Sequence, residues 1–252
     1  MAMESQMTVE GVIIKEYNLG ESDKSFVIFT REYGKMRMAA SGIRNYRSKL
    51  GGSGRFLQYA RFTLKKGKSL CRVQECERLE GFSDLRKDLC ALSIASYLAE
   101  ITNEALPEEE PYEELFRLFL NTLHFLSKHP KQGRYYKAIY ELRLVQLMGY
   151  RPILDRCVAC GKTEGSFSFS CKSNGLLCST CGGTIELPQE LVKALRFVSE
   201  ASMKEVFSVF ASEHVISAVS KVAEEYMVHI LGKTPKSLPY LHQMEEMLKD
   251  YN

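Results

Sequence analysis

Four cysteines occur as two pairs whose spacing is that of a metal site. Cys157 and Cys160 form one Cys-x-x-Cys pair, and Cys178 and Cys181 form a second pair after 17 intervening residues. A Cys-x-x-Cys turn lets both sulfurs converge on one ion, and two such turns complete a tetrahedron with zinc–sulfur distances of about 2.3 Å. The sequence therefore predicts one structural Zn²⁺ bound by these four residues.

This ion would brace the fold, because four thiolates leave no open coordination position for a reacting water. Between the pairs, residues 166–170 alternate serine and phenylalanine like a strand, and residues 173–175 read Ser-Asn-Gly, a turn. This is the make-up of a zinc ribbon, at about residues 152–186. Iron–sulfur ligation, a redox dithiol and four ordinary buried cysteines are the alternatives, and Cys171 is a fifth cysteine nearby without a pair partner.

A second concentration of chemically active side chains lies between residues 31 and 72, which hold twelve Lys/Arg and one acid. Such a density of positive charge attracts phosphates and releases their counterions, and the aromatic residues interleaved with it could stack on bases. The stretch predicts a nucleic-acid-binding surface, with a solvated positive face or a docking patch for an acidic protein as the alternatives. The candidate contact residues are Arg31, Lys35, Arg37, Arg44, Arg47, Lys49, Arg55, Lys65, Lys66 and Lys68.

Motifs for bond chemistry are missing from the sequence. Gly67-Lys68-Ser69 resembles the end of a phosphate-binding loop, but the first glycine of that motif would fall at Phe62. The sequence contains no His-Glu-x-x-His and no Gly-x-Ser-x-Gly motif, and its five histidines are scattered. We therefore predict no catalytic residues and no enzymatic activity.

The elements that must position the basic residues are short strands, predicted at 9–17, 25–31, 35–41, 56–65 and 70–79. Five strands in about 70 residues suit a small closed barrel, of which the oligonucleotide/oligosaccharide-binding (OB) fold is the type that binds nucleic acid. The basic character belongs to this part of the chain, since residues 1–80 hold 15 Lys/Arg against 9 Asp/Glu while the whole chain has a net charge of +3.

From residue 84 onward the apolar period becomes helical, with Asp84 as the expected cap of the first helix. Further helices are predicted at 115–126, 136–147, 191–199, 214–231 and 241–248. The predicted fold is multidomain α+β: an OB-fold barrel over residues 1–80, followed by a helical domain over residues 81–252 that carries the inserted four-cysteine zinc ribbon.

Eight cysteines without a secretory signal argue for reduced thiols, and no window holds about 18 consecutive apolar residues. The sequence therefore predicts a cytoplasmic protein with no membrane contact.

The order of these features resembles the RecO family of bacterial recombination mediators over residues 8–250. The motifs that carry the resemblance are Gly-Val-Ile-Ile at 11–14, Gly-Glu-Ser-Asp-Lys at 20–24, Thr-Arg-Glu-Tyr-Gly-Lys at 30–35, Gly-Ile-Arg at 42–44, Ser-Lys-Leu at 48–50 and Leu-Arg-Lys-Asp-Leu at 85–89. They are most specific in the first 90 residues and at the cysteines.

The resemblance implies a non-enzymatic factor of the RecFOR pathway that is associated with the nucleoid of a bacterium. Such a factor binds single- and double-stranded DNA, anneals complementary strands and, with RecR, helps load RecA onto DNA coated by single-stranded-DNA-binding protein (SSB), whose C-terminal tail it contacts. The alternative is a zinc-ribbon adaptor whose basic barrel docks an acidic protein partner. A zinc-ribbon enzyme acting on nucleic acid would need an acid/base or cofactor motif that the sequence lacks.

Overall fold

The computed structural model describes residues 6–45, 48, 50, 54–67, 70–182, 187–209 and 212–249. The chain divides into two compact units, Met1–Ser127 with Ser237–Asn252, and Lys128–Lys236. Across the described ranges, the helices are all too short or too polar to cross a membrane.

The N-terminal strands close into a five-stranded barrel. The strands are β1 Gln6–Leu19, β2 Asp23–Thr30, β3 Gly34–Ala40, β4 Tyr59–Lys65 and β5 Cys71–Glu80. Their order is β1-β2-β3-β5-β4, and β1 closes the barrel by pairing with β4. Neighbours are antiparallel except β3 and β5, which run parallel. The predicted five-stranded OB-type barrel is confirmed.

Alternate residues of each strand fill the barrel interior. Phe26 and Ile28 of β2 and Met38 of β3 are at most 1% exposed. Because successive side chains of a strand point to opposite faces, their neighbours Ser25, Val27 and others face outward. The interior comprises Val9, Ile13, Phe26, Ile28, Met36, Met38, Ala40, Ile43, Leu50, Ala60, Phe62, Leu64 and Val73. Burial of each large apolar side chain contributes about 1.5–3 kcal/mol, so this core determines which side of each strand is exposed.

Three helices complete the first unit: α1 Leu89–Ala105, α2 Glu113–Lys128 and α7 Leu238–Lys249. Helix α1 packs against both β1 and α7. Phe29 of β2 meets Phe116 and Phe119 of α2 edge to face, with ring centroids 5.3 and 6.1 Å apart. Aromatic pairs of this geometry add to the apolar burial, so α2 covers the barrel beside Phe29.

The first helix begins later than predicted. Asp88, rather than Asp84, caps α1 by accepting a hydrogen bond of 2.9 Å from the Ala91 N–H. Asp84 lies in a 3₁₀ turn over Ser83–Lys87, where its carboxylate pairs with Lys87. Both aspartates precede the same apolar stripe, so the pattern alone could not decide which one caps the helix.

The second unit combines four helices with a small sheet. The helices are α3 Gly133–Leu147, α4 Gln189–Glu200, α5 Met203–Ser208 and α6 Glu213–Leu231. The strands β6 Ile153–Cys157, β7 Phe167–Ser170 and β8 Gly175–Cys178 form a sheet of order β6-β8-β7. The helical region with an inserted four-cysteine module is thereby confirmed. Helix α5 was not predicted, although its capping box of Ser202 and Glu205 is a sequence-level signal.

The predicted division at residues 80 and 81 marks the change from strands to helices. Compactness divides the chain at other positions, because α1, α2 and α7 group with the barrel. The two divisions describe different properties, and the predicted domain boundary stays a prediction.

Candidate metal centre and nucleic-acid interface

The four predicted ligands come together at one end of the small sheet. The sulfur atoms of Cys157, Cys160, Cys178 and Cys181 all lie within 4.8 Å of one another, and those of Cys160 and Cys178 are 3.7 Å apart. Tetrahedral ligation at zinc–sulfur distances of about 2.3 Å requires sulfurs about 3.8 Å apart. The cluster therefore fits a single four-coordinate metal ion.

Parallel neighbours β6 and β8 position the two pairs, since Cys157 ends β6 and Cys178 ends β8. The chain turns back after each pair at a glycine in the left-handed region, Gly161 with φ 75° and Gly182 with φ 107°. Residues with a β-carbon rarely adopt this conformation, so these glycines let the turns wrap toward the ion. Gly183, also expected to help, lies outside the described residues.

The electrostatics of the cluster favour a cation. The Cys178 N–H donates to the Cys157 sulfur over 3.4 Å, and this bond, with further N–H groups, lowers the pKa of Cys157 to about 6. Hydrogen bonding to the thiol of Cys160 raises the pKa of Cys181 to about 12. One sulfur thus readily carries a negative charge while another holds its proton, and a bound metal would neutralise the crowded thiolates.

Cys171 is half-buried and does not belong to the cluster of four sulfurs. Burial raises the pKa of its thiol, which keeps it protonated and poorly reactive. The structure therefore separates the four candidate ligands from their nearest cysteine neighbour.

Three of the predicted DNA contacts lie at the β2–β3 end of the barrel, beside an acidic segment. Arg31 pairs with Glu113, and Arg37 with Glu108 at 2.6 Å. Lys35 is 9% exposed, and its ammonium donates to the Asn103 carbonyl over 2.6 Å. Arg31 and Arg37 remain exposed but already have carboxylate partners, whereas Lys35 is buried and hydrogen-bonded to the backbone.

A second group of predicted DNA contacts lies at the opposite end of the barrel, where β3 ends and β5 begins. Arg44 donates to the Gly20 carbonyl over 3.0 Å, so the loop after β3 is tied to the β1–β2 loop. Asp23 strengthens this tie by accepting a 2.7 Å hydrogen bond from the Gly42 N–H, which is the main reason that its pKa is lowered. The two sequence motifs at 20–24 and 42–44, which lie about 20 residues apart in the chain, are therefore hydrogen-bonded to each other.

The remaining predicted contacts divide into two sets. Arg55 and Lys66 are exposed, and Lys65 is half-buried at the end of β4. Among the residues that the structure describes, no ion pair involves Arg55 or Lys66. The others lie outside the described residues: Arg47, Lys49 and Lys68.

Strand register adds residues that the sequence analysis did not single out. Tyr17, Ser25, Ala39, Arg72 and Lys65 stand opposite one another in one row across β1, β2, β3, β5 and β4. Two residues along the strands, a second row aligns Lys15, Val27 and Arg37. We name these two rows the outer-face rows. Lys15, Tyr17 and Arg72 belong to them and were missed because charge density alone does not reveal which strands pair.

The aromatic residues considered for stacking differ in their environment. Phe26 and Phe62 fill the barrel core, Phe29 packs on α2, and Tyr59 donates to Glu10 over 2.8 Å. Tyr33, in the β2–β3 turn, is 44% exposed, and Tyr17 is 46% exposed. Within the described ranges, Tyr33 is therefore the exposed member of the predicted set, and Tyr17 is a further exposed tyrosine that the sequence did not single out.

Comparisons with known proteins match nearly the whole chain. A family model described as "Recombination protein O N terminal" matches residues 3–82, and one described as "Recombination protein O C terminal" matches residues 86–239. A DNA repair protein RecO of Acetivibrio thermocellus is 34% identical over 246 residues, covering 96% of this chain and 98% of the relative. One of Alkaliphilus metalliredigens is 33% identical over 227 residues, covering 88% and 92%. One of Listeria innocua is 29% identical over 247 residues, covering 95% and 96%.

Proposed function

The chain belongs to the RecO family of DNA repair proteins, and from this premise we propose that it is a non-enzymatic recombination mediator. It binds and anneals DNA and, with RecR, helps load RecA onto single-stranded DNA coated by SSB. The observation that carries the DNA-binding part is the basic outer face of a barrel of the OB type, a fold whose strands 2 and 3 bind oligonucleotides.

The annealing step requires charge neutralisation and no bond chemistry. Two complementary strands are polyanions, and cations on the barrel allow them to approach by displacing their counterions. Lys66 and Arg72 are exposed near the β4–β5 turn, and Arg55 is exposed in the segment before β4; these three cations would meet phosphates. RecR and the SSB tail are the protein partners in this proposal.

The metal of the four-cysteine cluster is proposed to be one Zn²⁺ with a structural role. An all-thiolate set suits zinc, and its four sulfurs fill the tetrahedral positions, so no residue here serves to activate water. Thiolate ligation requires reduced cysteines, which agrees with the proposed cytoplasmic, nucleoid-associated location.

The competing function is an adaptor whose basic barrel docks an acidic protein. The ion pairs of Arg31 with Glu113 and of Arg37 with Glu108 show that carboxylates can satisfy this surface. The two functions differ in one measurement, because only the mediator binds DNA of any sequence with an affinity that falls steeply as salt rises.

Reversing two charges on the proposed interface is expected to weaken DNA binding. Lys66→Glu with Arg72→Glu changes exposed residues near the β4–β5 turn, so the fold should be retained. We expect single-stranded DNA affinity at about 0.1 M salt to fall roughly tenfold or more, and the slope of log K against log salt to decrease by about 2. Fluorescence anisotropy with a labelled oligonucleotide at several salt concentrations measures both quantities.

A matched control carries the same charge change on the second unit. Lys193→Glu with Lys221→Glu alters two exposed lysines of α4 and α6 and should leave the salt slope unchanged. Equal weakening in both double variants would point to net charge rather than to this surface. Wild-type protein that shows no salt-dependent DNA binding would contradict the mediator function itself.

Releasing Arg31 and Arg37 from their carboxylate partners tests whether this end of the barrel also meets DNA. In Glu108→Gln with Glu113→Gln, we expect tighter binding and a salt slope steeper by about 1–2, because two more cations become available. Exposed ion pairs contribute only about 0–1 kcal/mol to stability, so the variant should fold. Glu164→Gln with Glu190→Gln removes the same charge elsewhere, and an affinity no different from this control would exclude Arg31 and Arg37 from the interface.

A further inference from the structure

Tyr17 presents a large aromatic ring on the outside of the barrel. It lies on β1 opposite Ser25 of β2, whereas Phe26, the next residue of β2, points into the core. The Tyr17 side chain is therefore directed outward by the alternation of the strand, and 46% of the residue is exposed. The β-bulge between Ile13 and Lys15 sets this orientation, because in an unbroken strand Tyr17 would share the inward face of Ile13.

Small residues follow Tyr17 along its row on the outer face. In this row, the neighbours Ser25 and Ala39 have short side chains, and the long side chain of Arg72 follows. With neighbouring strands about 4.8 Å apart, Tyr17 and Arg72 are about 14 Å apart along this row. The row therefore carries an aromatic ring on β1, small side chains on β2 and β3, and the cations Arg72 and Lys65 on β5 and β4.

Positive charge lies beside the Tyr17 ring. The Lys15 ammonium lies 5.1 Å from the centroid of this ring, in a cation–π contact. Two nearby acids are already engaged, because Glu16 pairs with Lys24 at 3.1 Å and Asp23 accepts a hydrogen bond from Gly42. A ligand that follows the row therefore meets the aromatic ring, the Lys15 ammonium beside it and the Arg72 guanidinium further along.

Single-stranded nucleic acid has the chemistry that this arrangement recognises. An unpaired base offers a face that can stack on tyrosine, and the phosphates on either side of the base can reach Lys15 and Arg72. A base within a duplex is already stacked on both faces and cannot use the ring. A purely electrostatic surface, by contrast, would bind both forms through phosphates alone.

We propose that Tyr17 is a stacking platform for one base of single-stranded DNA and makes the barrel distinguish unpaired from paired strands. This inference rests on the proposed DNA-binding function and adds to it a residue and a basis for substrate preference.

The test uses the absence of tryptophan from the chain. Tyr17→Trp introduces a single tryptophan, whose fluorescence should be quenched when a 15-nucleotide oligothymidylate binds and should change little with a duplex of the same length. Tyr17→Ala is expected to lose roughly 5- to 100-fold in affinity for the oligothymidylate, the range of one base–aromatic stack, with duplex affinity retained. Tyr17→Phe keeps the ring and should behave like the wild type.

Tyr33 supplies the matched control, since it is a comparably exposed tyrosine in the β2–β3 turn, beside the acidic segment. Tyr33→Trp should show no such quenching, and Tyr33→Ala should bind like the wild type. If the wild-type protein binds the oligothymidylate while Tyr17→Ala binds equally well, or if Tyr17→Ala loses single-strand and duplex affinity equally, the stacking role is overturned. If the wild type binds neither probe, the DNA-binding function itself fails.

Discussion

Replacing Cys178 with serine is expected to release the metal ion and to unfold the four-cysteine module. Cys178 is 2% exposed at the end of β8, and its sulfur lies 3.7 Å from that of Cys160. Structural zinc sites contribute about 10–16 kcal/mol of binding free energy in small zinc-binding peptides, more than the total stability of many domains. Loss of one thiolate should therefore cost more than any other single substitution in this region.

Elemental analysis and thermal unfolding measure this effect together. The wild type should contain about one zinc per chain, and Cys178→Ser should contain far less than one and unfold at lower temperature. Cys171→Ser is the matched control, because Cys171 is a half-buried cysteine of the same module outside the cluster. A metal content unchanged by Cys178→Ser, or iron in place of zinc, would contradict the assignment.

Replacing Lys137 with methionine is expected to produce the second largest loss of stability, about 3–5 kcal/mol. The Lys137 side chain is 1% exposed on α3, and its ammonium lies 3.0 Å from Glu141 on the same helix and 2.7 Å from Glu224 on α6. Removing the cation takes the ammonium away from the fully buried Glu141 and from Glu224, which is 21% exposed, and a buried carboxylate that loses its cationic partner is strongly unfavourable. Urea denaturation followed by circular dichroism measures the free energy of unfolding.

The same measurement on a triple variant separates the loss of the charge from the loss of packing. Lys137→Met with Glu141→Leu and Glu224→Leu removes all three charges and should recover most of the stability, since replacing a whole buried ion pair by apolar residues is often neutral. A single variant as stable as the wild type would show that the cluster has no energetic role. A triple variant that stays as unstable as the single one would assign the loss to packing.

The charge of Lys137 is secure at neutral pH. Burial alone would lower its pKa, but attraction to Glu141 and Glu224 outweighs burial and raises the pKa above its ordinary 10.5. A group whose pKa is raised by folding contributes its full stabilisation below its ordinary pKa and loses it as the pH rises through the folded value. The stabilisation that depends on the charge of Lys137 should therefore be lost as the solution becomes strongly alkaline.

Features that depend on neighbouring residues could be predicted from the sequence. The cluster of four candidate metal ligands follows from two local Cys-x-x-Cys turns, and strand alternation and helical periods placed the barrel before the helices. The start of α1 was wrong by one turn because Asp84 and Asp88 offer the same local signal. Where two local signals are equivalent, tertiary packing chooses between them.

Features that depend on distant residues required the tertiary structure. Arg31 and Arg37 read as free phosphate ligands in the sequence, yet their carboxylate partners lie 82 and 71 residues away. Lys137 meets Glu224 only because α3 and α6 pack together. An ion pair between distant residues leaves no periodicity in the chain, so no local pattern could have indicated it.

The sequence alone indicated that four cysteines have the spacing of a metal site and that a basic strand region precedes a helical one, because both features depend on spacing along the chain. The tertiary structure decided which basic residues share a surface, since only strand register places Tyr17, Arg72 and Lys65 in one row. A shift of one residue in pairing would turn each of these side chains to the other face of its strand. Residue spacing is a local property of the chain, whereas the register of the strands is set by the packed core of the barrel.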